Sequence, residues 1–204
     1  DEDVENRLNE MADRNSRLVS VDRAAKKGDT AGMAVLSSLY NRGDVTAQHT
    51  VGGIVGYVAG GYSSAAKEIT GCVNTGAVSS SSHNAGGIVG YIYGQVTVDS
   101  CYNRGSCTSG SYRAGGITAY LASSSAAVKN CYTTGETKVA YGSDSHAVIG
   151  NKSSGTVENC YYLSGLTADT SAAAKTADEL KALAPTLGDA FLAAPADLND
   201  GYPI

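Results

Sequence analysis

Gly86-Gly-Ile-Val-Gly-Tyr-Ile-Tyr-Gly-Gln-Val-Thr-Val-Asp-Ser-Cys-Tyr-Asn-Arg-Gly105 holds two words that recur through the middle of the chain. The second returns as Leu39-Tyr-Asn-Arg-Gly43, Cys72-Val-Asn-Thr-Gly76, Cys131-Tyr-Thr-Thr-Gly135 and, loosened, Cys160-Tyr161-Tyr162, with first residues 33, 29, 30 and 29 positions apart. The first returns as Gly52-Gly-Ile-Val-Gly-Tyr57, Gly115-Gly-Ile-Thr-Ala-Tyr120 and a worn Ala147-Val-Ile-Gly-Asn151. Self-similarity at a fixed period of about 20–50 residues means stacked units, none of which buries its apolar face alone.

Around Ile88 the pattern alternates. Ile88, Gly90 and Ile92 point one way; Val89, Tyr91 and Tyr93 point the other. Across copies the first set is always apolar or small (Ile54-Gly56-Val58, Ile117-Ala119-Leu121), so it faces inward, its glycines allowing close approach of the opposite wall. The second set admits Thr118 and Asn151, so it faces outward. Ile69, Val98, Val128 and Val157 stand three residues before each Cys, an offset that cannot share a face with it in an unbroken strand. A corner must intervene, at Gly71, Ser100, Asn130 and Asn159, residue types that accept turn conformations. Stacked in register, Asp99, Lys129 and Glu158 would make an outer column of alternating sign.

These periods predict an all-β fold: a parallel β-solenoid of four to five coils over residues 36–165, right-handed by the general rule for parallel crossovers. A solenoid needs covered ends. Residues 1–35 carry Val4, Leu8, Met11 and Leu18 among charges, which predicts a helical N-terminal cap. In 166–204, Thr176-Ala-Asp-Glu179 is a capping box opening a short helix through Leu180 and Leu183 that stops before Pro185.

Composition narrows function. Among 204 residues 17% are charged and the net charge is −5, without a basic cluster, which argues against nucleic acid. No apolar run reaches the roughly 18 residues of a membrane helix. The chain begins with Asp1, which reads as a processed piece. Four of the five cysteines (72, 101, 131 and 160) share one repeat position, so they read as buried free thiols in a ladder, and no CxxC spacing suggests zinc.

The alternating words resemble the GLUG-repeat proteins of bacterial cell surfaces, including regions flanking the catalytic domain of some immunoglobulin-A1 proteases. The tail Thr176–Ile204 also resembles the segment that closes such arrays. The resemblance implies an extracellular, secreted or cell-wall-associated β-solenoid module used in adhesion or in binding a glycan or a host or bacterial surface protein. It implies no catalytic residues and no cofactor.

Other chemistries read less well. Hydrolytic carboxylate pairs need close spacing. Asp99 and Glu158 share a repeat position but lie two coils apart with Lys129 between them, which would hold both ionised. His49 and His83 stand at one repeat position without a third ligand, so no metal site is assigned. Arg42-Gly43-Asp44 spells an integrin tripeptide, but Arg and Gly belong to the repeat. The tyrosines carry the binding expectation: Tyr57, Tyr91 and Tyr120 form one column with Tyr93 beside it, while Tyr102, Tyr132 and Tyr161, with Tyr40 further along, form another. Tyrosine offers apolar area with a polar tip, suited to glycan or protein surfaces. The first column is the expected recognition face. The alternatives are a β-helix glycan-degrading enzyme, a passive spacer, or tyrosine ladders that only stabilise the coil.

Overall fold

In the computed structural model, which describes residues 35–60 and 66–204, each of the first four coils turns through five short strands in the same order. The first coil has Val35–Ser37, Tyr40–Asn41, Val45–Ala47, Thr50–Gly52 and Val55–Ala59, here assigned to sheets A to E. The second repeats them at Lys67–Thr70, Val73–Asn74, Val78–Ser80, Asn84–Gly86 and Val89–Tyr93. Coils three and four follow, and a partial fifth adds Thr156–Glu158 to sheet A and Tyr161–Leu163 to sheet B. Every strand pairing is parallel. The expected N-terminal helix lies outside the described residues.

The register follows the repeat words. Cys72, Cys101, Cys131 and Cys160 are all free and buried in the main core. The corner before each of them, and before Leu39 in the first coil, is left-handed: Ser38, Gly71, Ser100, Asn130 and Asn159 have φ of 53, 59, 52, 48 and 51°. That one twist turns sheet A into sheet B and resolves the odd offset between Val98 and Cys101.

The Asn of the Cys-Tyr-Asn word also has a structural duty. Asn41 donates to Asn74 Oδ1 and Asn74 to Asn103 Oδ1, each at 2.7 Å, while Asn74 and Asn103 reach the Gly76 and Gly105 carbonyls at 2.8 and 2.7 Å. A buried amide costs free energy unless paired; this ladder pairs each Asn along the axis and across its own turn. Residues Asp99, Lys129 and Glu158 do stack in register. Yet Asp99 accepts from Asn130 and Ser100, both at 2.9 Å, and among the described residues no ion pair joins the three.

The Gly-Gly words make the tight joint between sheets D and E. A Cβ on Gly90 would stand 2.5 Å from the Gly56 carbonyl oxygen and 2.6 Å from that of Val51, so neighbouring walls meet backbone to backbone. The joint also folds over the first residue of each E strand. Thr118 is therefore fully buried, not outward as its polarity suggested; it stands in register between Val89 and Ile149.

The upper end is closed by residues 164–172. In the lower coils two adjacent amides share one carbonyl of the next coil: those of Ile88 and Val89 both reach the Ile117 oxygen at 2.9 Å. The fourth coil has no such neighbour. Instead the buried Asp169 carboxylate accepts the Val148 and Ile149 amides at 2.9 and 2.7 Å, and Ala147 donates to the Thr167 carbonyl at 3.1 Å.

The remaining tail is a strap along the outside of sheet B. It opens with α1 (Ala177–Lys181), shorter than the helix expected through Leu183, with the capping box formed by Thr176 and Glu179. Leu180, Leu183, Leu187, Phe191 and Tyr202 then pack on Val73, Tyr102 and Tyr132. The strap is mostly irregular.

Candidate functional site

The two tyrosine columns have opposite fates. Tyr102 and Tyr132 stack face to face with centroids 5.0 Å apart and planes 7° apart, but the strap covers them. Tyr132 is wholly inaccessible, and its hydroxyl donates to the Pro203 carbonyl at 2.5 Å. Desolvation, and next the neighbouring Tyr102, push that hydroxyl well above its ordinary pKa. Tyr102 and Tyr132 are core, while Tyr161 and Tyr40 at the ends of the column are half-buried.

The column on sheet E is not covered by the strap: Tyr57 is exposed, and Tyr91 and Tyr120 are half-buried. Tyr57, Tyr91 and Tyr120 stand in register on successive strands. Tyr57 keeps 58% of its surface exposed and Tyr93, two residues beyond Tyr91, keeps 40%. The ring centroids of Tyr57 and Tyr91 are 5.1 Å apart and those of Tyr91 and Tyr120 are 4.9 Å apart, the second pair edge to face. Partial desolvation, then the neighbouring phenols, raise the Tyr91 hydroxyl above its ordinary value. All four residues expected to form the binding face therefore lie on one sheet, and Asn151 ends the column.

A polar column beside these rings was not anticipated. Thr50, Asn84, Arg113 and Asp144 begin the four D strands in register. The Gly-Gly joint brings each toward the E residue seven positions on. The Arg113 guanidinium carbon lies 4.0 Å from the Tyr120 ring centroid, and Asp144 accepts from Asn151 at 2.8 Å. Arg113 is held by a 3.6 Å ion pair with Asp144 and a 3.5 Å contact with Asn84, while Asn84 donates to Thr50 at 3.1 Å. The strip is thus a row of rings flanked by a row of hydrogen-bonding groups at strand spacing, about 4.8 Å. The signal was in the sequence: Thr50, Asn84 and Arg113 each lie two residues before a Gly-Gly word and Asp144 three before its worn copy, but no residue type repeats there.

The C-to-D corner adds a third row. His49, His83 and Tyr112 line up with centroid separations of 4.8 Å for both pairs, the His pair edge to face and His83 stacked on Tyr112. Buried Ser80 and Ser109 pin the corner by donating to the His49 and His83 carbonyls. His49 and His83 approach with 3.1 Å between their Nδ1 atoms, but Tyr112 takes the third place, and among the described residues no group of three His, Cys, Asp or Glu is arranged to hold a metal. Arg113 also approaches Tyr112, at 6.0 Å, and so lies between the two aromatic rows.

Elsewhere, Asp44 of the Arg-Gly-Asp sequence accepts the Ala77 amide at 2.8 Å, which gives it a structural use.

No family model matches this chain, and no curated protein matches it. Among solved structures, it is similar to the crystal structure titled a putative immunoglobulin A1 protease from Bacteroides ovatus, with a TM-score of 0.66 and 24% sequence identity. The match covers 83% of this chain and 57% of that one, so the chain spans little more than half the solved protein. The likeness establishes the fold, an all-β parallel solenoid of about four turns.

Proposed function

We propose that this chain is a non-catalytic module of a bacterial secreted or cell-surface protein, of the GLUG-repeat kind, binding an extended glycan or protein surface in adhesion. The observation that carries this reading is the Tyr57–Tyr91–Tyr120 column, exposed at Tyr57 and half-buried at Tyr91 and Tyr120, with Arg113, Asn84 and Asp144 beside it. Rings left uncovered by the strap while polar groups converge on them form a surface for a ligand with an apolar face and hydroxyl or amide edges. Linear repetition suits a polymer more than a compact metabolite. The fold likeness to a solenoid titled a putative immunoglobulin A1 protease is compatible with a surface module.

The non-catalytic reading is supported by the carboxylates. Asp99, the best-placed acid of the notional pair with Glu158, is tied to Asn130 and Ser100, and Lys129 stands between the two strands. No helix of the described residues is long and apolar enough to cross a membrane. Extracellular placement and a glycan or surface-protein partner are parts of the same proposal.

The test is a glycan array and a surface-protein pulldown with the intact chain and with Tyr91→Ser/Tyr120→Ser. Binding by the parent that disappears in the double variant, with unfolding temperature retained, supports the reading. Binding that persists in the double variant removes the strip as the site, and silence in both screens favours the spacer.

A further inference from the structure

We propose that a second site, in the groove between the strap and sheet B, binds an acidic oligosaccharide, its carboxylate or sulfate groups taken by Arg42 and Lys181.

The groove follows from the repeat. The residue after each ladder position (Asn41, Asn74, Asn103 and Thr133 in the fourth coil) lines the outer face of sheet B, and these residues are Arg42, Thr75, Arg104 and Thr134; the amides of the last three bond to the Asn41, Asn74 and Asn103 carbonyls. Guanidinium and hydroxyl groups thus alternate along one line, and the end of the strap crosses it. Arg104 is fixed at the crossing: it donates to Asn199 at 2.7 Å and is paired with Asp200. Asn199 and Asp200 are consecutive left-handed residues, with φ of 50 and 52°, a strained pair that this clasp holds.

On either side of the clasp a cavity opens. One, of about 570 Å³, is lined by Thr75, Thr134, Lys181 and Tyr202. The other, of about 310 Å³, is lined by Tyr40, Arg42, Thr75 and Ile204. Both share Arg104, so they form two arms of one groove, each within the size of small-ligand sites.

The charge is unbalanced. The two arms hold three cations, Arg42, Arg104 and Lys181, against the single carboxylate Asp200. With Arg104 and Asp200 paired, Arg42 and Lys181 remain outside any ion pair among the described residues. Both are oriented by aromatic faces: Arg42 lies 4.8 Å from the Tyr40 centroid and the Lys181 ammonium 5.4 Å from that of Tyr202. Cations held ready in a cleft lined with threonine hydroxyls match a ligand bearing fixed anions and many hydroxyls. An acidic peptide fits less well. In the middle of sheet B each strand is paired on both sides, so no free edge can read an extended main chain. The overall charge of −5 also makes attraction to this groove local rather than general.

The experiment is calorimetric titration of the intact chain with four probes: oligogalacturonate, its methyl ester, a sulfated galactan oligosaccharide, and oligoglutamate. Binding of either acidic sugar, at least about tenfold tighter than the methyl ester or oligoglutamate, supports the proposal and shows which anion is preferred. Arg42→Gln and Lys181→Gln should each weaken it by about tenfold, while Tyr91→Ser/Tyr120→Ser leaves it unchanged. Neither acidic sugar binding, oligoglutamate matching them, or Arg42→Gln and Lys181→Gln having no effect overturns it. Loss of acidic-sugar binding in the tyrosine variant instead moves that ligand to the sheet E strip, so the two sites fail separately.

Discussion

Asp169 Oδ2 lies 2.9 Å from the Val148 amide nitrogen, where every lower coil has a backbone carbonyl from the coil above. One side chain thus stands in for a missing rung and leaves the last Gly-Gly word's amides satisfied. Replacing Asp169 by Ala orphans the Val148 and Ile149 amides and frees Ser171 from its 2.8 Å bond to Oδ1. Losing hydrogen bonds to a buried charge costs roughly 2–4 kcal/mol. At this size, that lowers the melting temperature by about 4–16 °C. Thermal denaturation followed by circular dichroism checks it; a shift under a degree would mean that Asp169 is incidental to the cap.

Thr118 should be a site of easy stabilisation. Its neighbours in register are Val89 and Ile149, it is fully buried, and Oγ1 has no hydrogen-bond partner. Thr118→Val keeps the shape and removes an unpaired hydroxyl, so stability should rise by about 1–2 kcal/mol. Urea unfolding should show a higher midpoint with an unchanged slope. A lower midpoint would indicate that the hydroxyl is paired in solution.

Burial pushes the Cys107 thiol up to about 12 from an ordinary 9.0. Because the folded value is the higher one, the unfolded state loses its proton first as pH rises. The stability from this group is therefore whole below about pH 9 and falls away between about 9 and 12. Val78 occupies the same register one coil away. Cys107→Val should consequently unfold with a shallower alkaline dependence, and native protein at neutral pH should leave all five thiols unlabelled until denatured. Equal alkaline profiles for parent and variant would contradict the assignment.

Tyr132 and Tyr57 belong to repeated words, yet they should respond oppositely to truncation. Tyr132→Ala removes a ring enclosed by Phe191, Tyr202 and Tyr102, at a cost of about 3–5 kcal/mol. Tyr57→Ala removes a ring more than half exposed, which should cost under about 1 kcal/mol. Chemical denaturation of the two variants compares them directly. Similar losses would place Tyr57 beneath cover.

Much of this was legible because a repeat displays its own constraints. Cys72, Cys101, Cys131 and Cys160 exchange for one another and so had to share an environment; Gly71, Ser100, Asn130 and Asn159 mark a corner because only permissive residues stand there. Thr118 misled because a single substitution in a column signals exposure and tolerated burial alike. Arg113 and Asp144 went unread because their column, Thr50-Asn84-Arg113-Asp144, conserves no chemistry, and its meaning comes from the fold of the Gly-Gly joint. The strap's position was hidden for a related reason: Phe191 and Tyr202 find Tyr102 and Tyr132 across a sequence gap with no periodicity to announce it.

The strap has a mechanical consequence. It is fastened to the fifth coil, where Asn159 donates to the Thr186 carbonyl at 2.8 Å, and to the third, where Arg104 is clasped by Asn199 and Asp200. Coils three to five are therefore spliced by polar clasps, whereas the strap meets the first coil through apolar contact at Tyr40 and Ile204, and that coil's other links to the second are its strand ladder and the Asn41, Asp44 and Thr50 hydrogen bonds. Under tension along the axis the molecule should yield at its first coil and hold at its last. Single-molecule pulling should record early low-force extension from that end, followed by a higher-force event that Arg104→Ala lowers.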